Sequence, residues 1–199
     1  MKFGKVLLLS FLLTACTNVE APVVLENDLE MKEEAEVVLP IDDYFERAKF
    51  KIFGEYYSDR FVGWHSGDDI EYTDVAGEVP VVAIADGVVT RVGRVGGYGG
   101  FISIEHTIEG RSIHAIYGHI DLSSSSLAVG QAVEKGQFLA NLGEGGTEET
   151  DGERKHLHFG LWEGSDLRVL GYVDSEAELA EWLDPSEFFS SFGLGEASY

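Results

Sequence analysis

Cysteine is almost missing from this sequence: Cys16 stands alone, so no internal disulfide can form and the fold must rest on its core. Positive charge is scarce, with 14 lysines plus arginines against 36 aspartates plus glutamates and a formal charge of -22. That balance excludes a surface that tracks phosphates by counterion release, so nucleic acid is not an expected partner. Only four prolines accompany 24 glycines, a composition suited to short strands joined by tight turns rather than a helical bundle. No apolar run is long enough to cross a bilayer as a helix; the best, residues 6–13, is too short. The H-E-x-x-H pattern of helical zinc peptidases is also lacking, which leaves histidine rather than glutamate as the candidate proton carrier.

What is present begins with a leader. Lys2 and Lys5 precede the apolar stretch, and Thr14 and Ala15 supply small residues before Cys16, so residues 1–15 read as a signal peptide. Leu13-Thr14-Ala15-Cys16 resembles the bacterial lipobox. That resemblance implies cleavage before Cys16, lipidation of its sulfur, and an exported lipoprotein held to a membrane of the cell envelope by its N-terminal lipid. Residues 16–40 are acidic and nearly free of aromatics, and they read as a tether too polar to offset its ordering entropy. A globular domain is expected over 41–199, where Tyr44, Phe45, Phe50 and Phe53 open an aromatic-rich stretch.

Strands are expected at 79–85, 87–92, 101–106, 112–119, 128–133, 137–142 and 156–162, most bounded by Gly, Asp or Ser. Asp86-Gly87 and Glu109-Gly110 occupy expected hairpin turns. Ser175 with Glu178 forms a capping-box pattern ahead of a helical stretch over 177–183, and Asp184-Pro185 with Glu187 looks like a second helix start. The expected architecture is therefore mainly β, an antiparallel sandwich or open barrel closed by short C-terminal helices.

Six histidines pose the chemical question of which converge with a carboxylate. His65 and Asp69 lie four residues apart across Gly67, which is expected to let the backbone bend. His156 and His158 alternate on one face of a strand, with Leu157 and Phe159 on the other. Catalytic zinc takes three protein ligands and leaves a fourth position for water, a quota that His65, Asp69 and His158 would fill. His119 and His156 are the candidates for proton transfer. His106 and His114 read as structural, and Asp68 as a surface or supporting residue beside a ligand.

Taken in order, several motifs carry a resemblance: the 60–69 stretch with His65-Ser66-Gly67-Asp68-Asp69, Pro80-Val81-Val82-Ala83, and Asp86-Gly87-Val88-Val89. Further on come Gly97-Tyr98-Gly99-Gly100, Tyr117-Gly118-His119, Val129-Gly130-Gln131 with Lys135-Gly136-Gln137, and His156-Leu157-His158-Phe159. In this order, from about 53 to 162, the chain resembles the lysostaphin/LytM-type zinc metallopeptidases, exported endopeptidases of peptidoglycan. The resemblance implies the duplicated hybrid motif fold, a catalytic core over about 53–162 with a C-terminal extension over 163–199, and zinc bound by His65, Asp69 and His158. It also implies catalytic roles for His119 and His156, and hydrolysis of amide bonds in peptidoglycan stems or cross-links.

The acidic stretch 144–155 departs from the short Gly/Ser/Thr-rich turn usual before H-x-H and is expected to border the cleft. The alternative function is a non-hydrolytic relative that binds and activates a wall amidase or another divisome partner. The carrier-domain grammar around Lys135 lacks the displayed lysine hairpin a biotinyl or lipoyl domain would need.

Overall fold

The computed structural model describes residues 36–195. The leader, Cys16 and the tether as far as residue 35 lie outside the described residues. In chain order the first strands are β1 (Lys49–Lys51), β2 (Tyr56–Ser58), β3 (Val62–His65), β4 (Gly67–Glu71) and β5 (Pro80–Val82). The long central strands are β6 (Gly87–Val95), β7 (Gly99–Ile108) and β8 (Arg111–Gly118). After them come β9 (Ile120–Asp121), β10 (Ala132–Val133), β11 (Phe138–Leu142), β12 (His156–Glu163), β13 (Tyr172–Val173), α1 (Glu176–Leu179), β14 (Trp182–Leu183) and α2 (Pro185–Ser191).

All the pairings are antiparallel. The large sheet runs β1-β4-β12-β8-β7-β6-β10, and β14 joins it on β12. Two smaller sheets, β5-β11-β9 and β13-β3-β2, complete the body. Period-two alternation sends Ile70, Leu157, Phe159, Ala115, Tyr117 and Ile104 to one face of the large sheet, into a core shared with Val81, Leu139 and Ala140 of the small β5-β11-β9 sheet. The opposite face carries a second cluster of Tyr98, Phe101, Ile116, Trp162, Val173 and Trp182. Fully burying side chains such as Leu157 and Phe159 contributes about 2–3 kcal/mol each, and this double-sided burial stands where disulfides are lacking. Among the described residues no helix is long and apolar enough to cross a membrane.

The architecture is mainly β and antiparallel, as expected, and Glu109-Gly110 forms the two-residue hairpin between β7 and β8, both residues at positive φ (51° and 75°). Several local expectations are corrected. Gly87 is not a turn residue but the first residue of β6, where a Cβ would stand 2.6 Å from the Glu105 carbonyl oxygen. The strand expected over 128–133 shrinks to Ala132–Val133, because the chain turns through Gly130 at φ 85°.

The helix expected over 177–183 ends after one turn at Leu179. Trp182 and Leu183 instead pair with β12, and the Trp182 and Trp162 rings pack at 5.5 Å, so tertiary contact overrides local propensity. Both expected caps form: the Ser175 side chain accepts from Glu178 N, and the Asp184 side chain accepts from Ser186 N and Glu187 N with Pro185 in the first turn. The packed body also starts before residue 41, since Val37 is fully buried and Val38 N donates to the Ile84 carbonyl at 2.8 Å.

Candidate metal centre

Residues 65–71 look like a polar turn in sequence, yet they form the end of one strand and the whole of another. His65 closes β3 opposite Tyr172 of β13, and two residues later Gly67 opens β4 in the large sheet. Ser66 makes the crossing, its N–H donating to the Gly171 carbonyl at 3.0 Å and its hydroxyl to the Leu170 carbonyl at 2.5 Å. Gly67 does not serve as a bend. A Cβ there would lie 2.4 Å from the Phe159 carbonyl oxygen and 3.0 Å from His158 Nε2, so glycine is needed for close approach. Across the β4–β12 ladder Asp69 then stands directly opposite His158, and on the far side of β12 His158 faces Gly118.

The result is a triangle of donor atoms. His158 Nδ1 lies 3.0 Å from Asp69 Oδ1 and 3.1 Å from His65 Nε2, and His65 Nε2 lies 3.4 Å from Asp69 Oδ1. A tetrahedral metal with bonds of about 2.0–2.1 Å separates its ligands by about 3.3–3.4 Å, so these edges are close to one face of such a site. All three residues are buried. Burial works to raise the Asp69 carboxyl, but the neighbouring His156 and His65 imidazoles and its histidine hydrogen bonds hold it well below the usual carboxylate range. Burial pushes the His158 imidazole down, favouring the neutral ligand form against the pull of Asp69. The outer nitrogens, His65 Nδ1 and His158 Nε2, have no hydrogen-bond partner among the described residues. Two imidazoles and a carboxylate make a donor set that fits a divalent transition metal.

His119 and His156 sit beside the triangle with ring centroids 4.1 Å apart. His119 follows β8 in the left-handed region at φ 63°, a conformation that costs a non-glycine residue free energy and that turns its ring off the line of the strand. Its N–H donates to the Tyr98 carbonyl and its own carbonyl accepts from Gly143 N, which fixes the strained residue from both sides. Burial and the adjacent His156 push its imidazole well below the normal histidine range, so it is neutral at pH 7. His156 Nδ1 donates to the Arg154 carbonyl at 2.9 Å, and its Nε2 lies 3.3 Å from Asp69 Oδ2.

These groups open into a cleft of about 370 Å³ whose walls include Lys51, Arg60, Val62, Tyr98, Leu170 and Tyr172. Glu153 and Arg154 of the acidic stretch also line it, as the sequence led one to expect of 144–155. That stretch is tied down: Arg60 reaches Asp151 at 2.7 Å and Glu153 at 2.8 Å, and Arg94 reaches Glu149 at 2.8 Å. Tyr98, in the turn between β6 and β7, forms part of the cleft wall, its ring edge-on to His158 at 5.0 Å.

Asp68 is not at the surface. It is buried and accepts hydrogen bonds from Tyr44, Ser186 and Phe53 N, with Lys49 at 3.1 Å. Neither His106 nor His114 belongs to the metal-like cluster found among the described residues: His106 Nδ1 donates to the Asp86 carbonyl at 3.0 Å, and both rings are buried. Arg154 escaped the sequence reading. Its guanidinium contacts Asp69 at 2.8 Å and Glu71 at 2.6 Å, and its signal was the two-residue spacing 154, 156, 158, hidden inside an acidic run.

Residues 63–169 match the profile of the family described as Peptidase family M23. An uncharacterized metalloprotease of Haemophilus influenzae is 35% identical over 96 residues, covering 48% of this chain and 18% of that protein. A DD-carboxypeptidase/endopeptidase, Mpg, of Neisseria meningitidis serogroup B is likewise 35% identical over 96 residues, covering 48% of this chain and 20% of its own length. The matched region thus spans about a fifth of either relative. The solution structure of lysostaphin superposes with a TM-score of 0.55 at 26% identity, covering 77% of this chain and 54% of lysostaphin.

Proposed function

This chain belongs to peptidase family M23, and from that premise we propose that it is a zinc-dependent endopeptidase that hydrolyses amide bonds in peptidoglycan stems or cross-links. The observation that carries the reading is the triangle of His65 Nε2, Asp69 Oδ1 and His158 Nδ1, with edges of 3.0–3.4 Å, set beside a histidine pair in an open cleft. The names of the relatives support the substrate class: one is a DD-carboxypeptidase/endopeptidase.

In this reading His65, Asp69 and His158 hold the metal, and His119 and His156 handle protons. A bound zinc ion would supply Lewis acidity, acidifying water to a pKa of about 7 and polarising the scissile carbonyl. His156, with Nδ1–H held by a backbone carbonyl, presents Nε2 to accept a proton from the attacking water. His119, kept neutral by burial, can donate toward negative charge developing on the carbonyl oxygen without repelling the metal. The proton accepted by one histidine returns to the departing amine. Tyr98 and the apolar rim at Val62 and Leu170 restrict water around the substrate.

A substrate in the cell envelope agrees with export through a leader at 1–15 and lipid anchoring at Cys16, which radiolabelled fatty acid incorporation into wild type and Cys16→Ala would test. The activity itself is tested by mass spectrometry of purified peptidoglycan fragments incubated with the metal-loaded protein and with His65→Ala. New amine-bearing peptides produced only by the wild type are expected. No product from several wall types, with zinc verified in the protein, would overturn the hydrolytic reading and favour an amidase-activating module.

A further inference from the structure

We propose that Arg154 is a positioning residue that partitions the Asp69 carboxylate, reserving Oδ2 for itself so that Oδ1 alone is offered to the metal. The inference rests on the metal-site reading above. The two carboxylate oxygens have separate surroundings. Oδ1 faces His158 Nδ1 at 3.0 Å and His65 Nε2 at 3.4 Å, whereas Oδ2 faces Arg154 Nη2 at 2.8 Å and His156 Nε2 at 3.3 Å. His156 is fixed beside Oδ2 by its own Nδ1–H, which donates to the Arg154 carbonyl at 2.9 Å. Of these two contacts to Oδ2, the one from Arg154 is the shorter, 2.8 Å against 3.3 Å.

The guanidinium is itself held in place. Its Nε donates to Glu71 Oε1 at 2.6 Å, and Asp69 and Glu71 alternate onto the same face of β4, so one planar fork bridges residues i and i+2. The Arg154 side chain is only 22% exposed and the Asp69 and Glu71 side chains 5% each. In that low-dielectric position the cation also separates two carboxylates that would otherwise repel. Arg154 thus bears on His156 twice: its carbonyl accepts from Nδ1, and its side chain occupies the carboxylate oxygen that Nε2 faces.

A guanidinium directed at substrate would instead leave its paired donors facing the cleft. Here Nε and Nη2 are both committed to β4, and Nη1 is 3.8 Å from Glu153. The orientation favours a role in holding the ligand.

The test compares wild type, Arg154→Met and Arg154→Lys, each loaded with zinc, by X-ray absorption for coordination number and by competition titration for metal affinity. In Arg154→Met, Oδ2 is released, so one additional oxygen neighbour of zinc is expected, with metal affinity reduced about 10- to 100-fold. Lysine keeps the charge but cannot bridge both carboxylates, so Arg154→Lys should show an intermediate loss, and it carries the test if the methionine variant does not fold. Unchanged coordination and affinity in a folded variant, or a raised KM as the sole effect, would overturn the proposal. A wild type that binds no zinc would overturn the metal-site reading as well, so the two failures are distinguishable.

Discussion

A Cβ placed on Gly67 would stand 2.4 Å from the carbonyl oxygen of Phe159, so β4 and β12 approach each other with no room for a methyl group. The same Cβ would press on His158 Nε2 at 3.0 Å. Gly67→Ala should therefore cost about 3 kcal/mol, as overpacking against backbone does at the upper end of its usual range, and should weaken metal binding together with stability. Thermal unfolding of the apo and metal-loaded variant measures both; an unchanged Tm in the two forms would show that the strands yield.

His65→Ala, Asp69→Ala and His158→Ala each remove one corner of the triangle. Loss of metal affinity by more than about 100-fold is expected, exceeding what supporting residues cost, with retention of the β-rich circular dichroism spectrum. Metal content after exhaustive dialysis is the readout, and full retention in any one variant would strike that residue from the ligand set.

His119→Ala should keep its metal and lose about 10²- to 10⁴-fold in rate, the usual contribution of a positioned proton donor or acceptor. The strain at φ 63° is relieved only by glycine, so His119→Gly should be somewhat more stable than His119→Ala while equally slow. Loss of metal from either variant would move His119 into the ligand set.

Asp68 gives a stability prediction with a defined pH direction. Burial acts to raise its carboxyl, but Lys49 and hydrogen bonds from Phe53 N, Ser186 and Tyr44 hold it below 3.8. A depressed folded-state value means that the ionised carboxylate stabilises the fold above the unfolded pKa, and that this contribution is lost as pH falls through the folded value. Asp68→Asn should cost about 3 kcal/mol at pH 7, and the gap to wild type should narrow below pH about 4. A gap independent of pH in urea melts would mean that shape rather than charge holds this junction.

Period-two alternation made the central strands and the shared face of His156 and His158 legible in the sequence, because that pattern survives any packing. Residues 67–71 did not announce themselves as a strand, since Gly-Asp-Asp-Ile-Glu has a turn-like composition and only burial on both faces explains it. His119 could be named from Tyr117-Gly118-His119, but the left-handed backbone that aims it depends on contacts to Tyr98 and Gly143 from distant parts of the chain. Arg154 was masked by the five acids in 144–153, whose charge dominates that stretch. Trp182 went unread as a strand because its partner, Trp162, supplies the reason for it.

The last segments of the fold bear on when the site exists at all. Ser186, at the start of α2, donates to Asp68 beside Asp69, and β14 completes the edge of β12 beyond its pairing with β4. A chain released to residue 175 already holds His65, Asp69, His119, His156 and His158, yet it lacks the clasp that settles the strand carrying Asp69. During synthesis the chain therefore passes through its growing lengths with a loose centre, and the triangle of donor atoms settles only as β14 and α2 take their places.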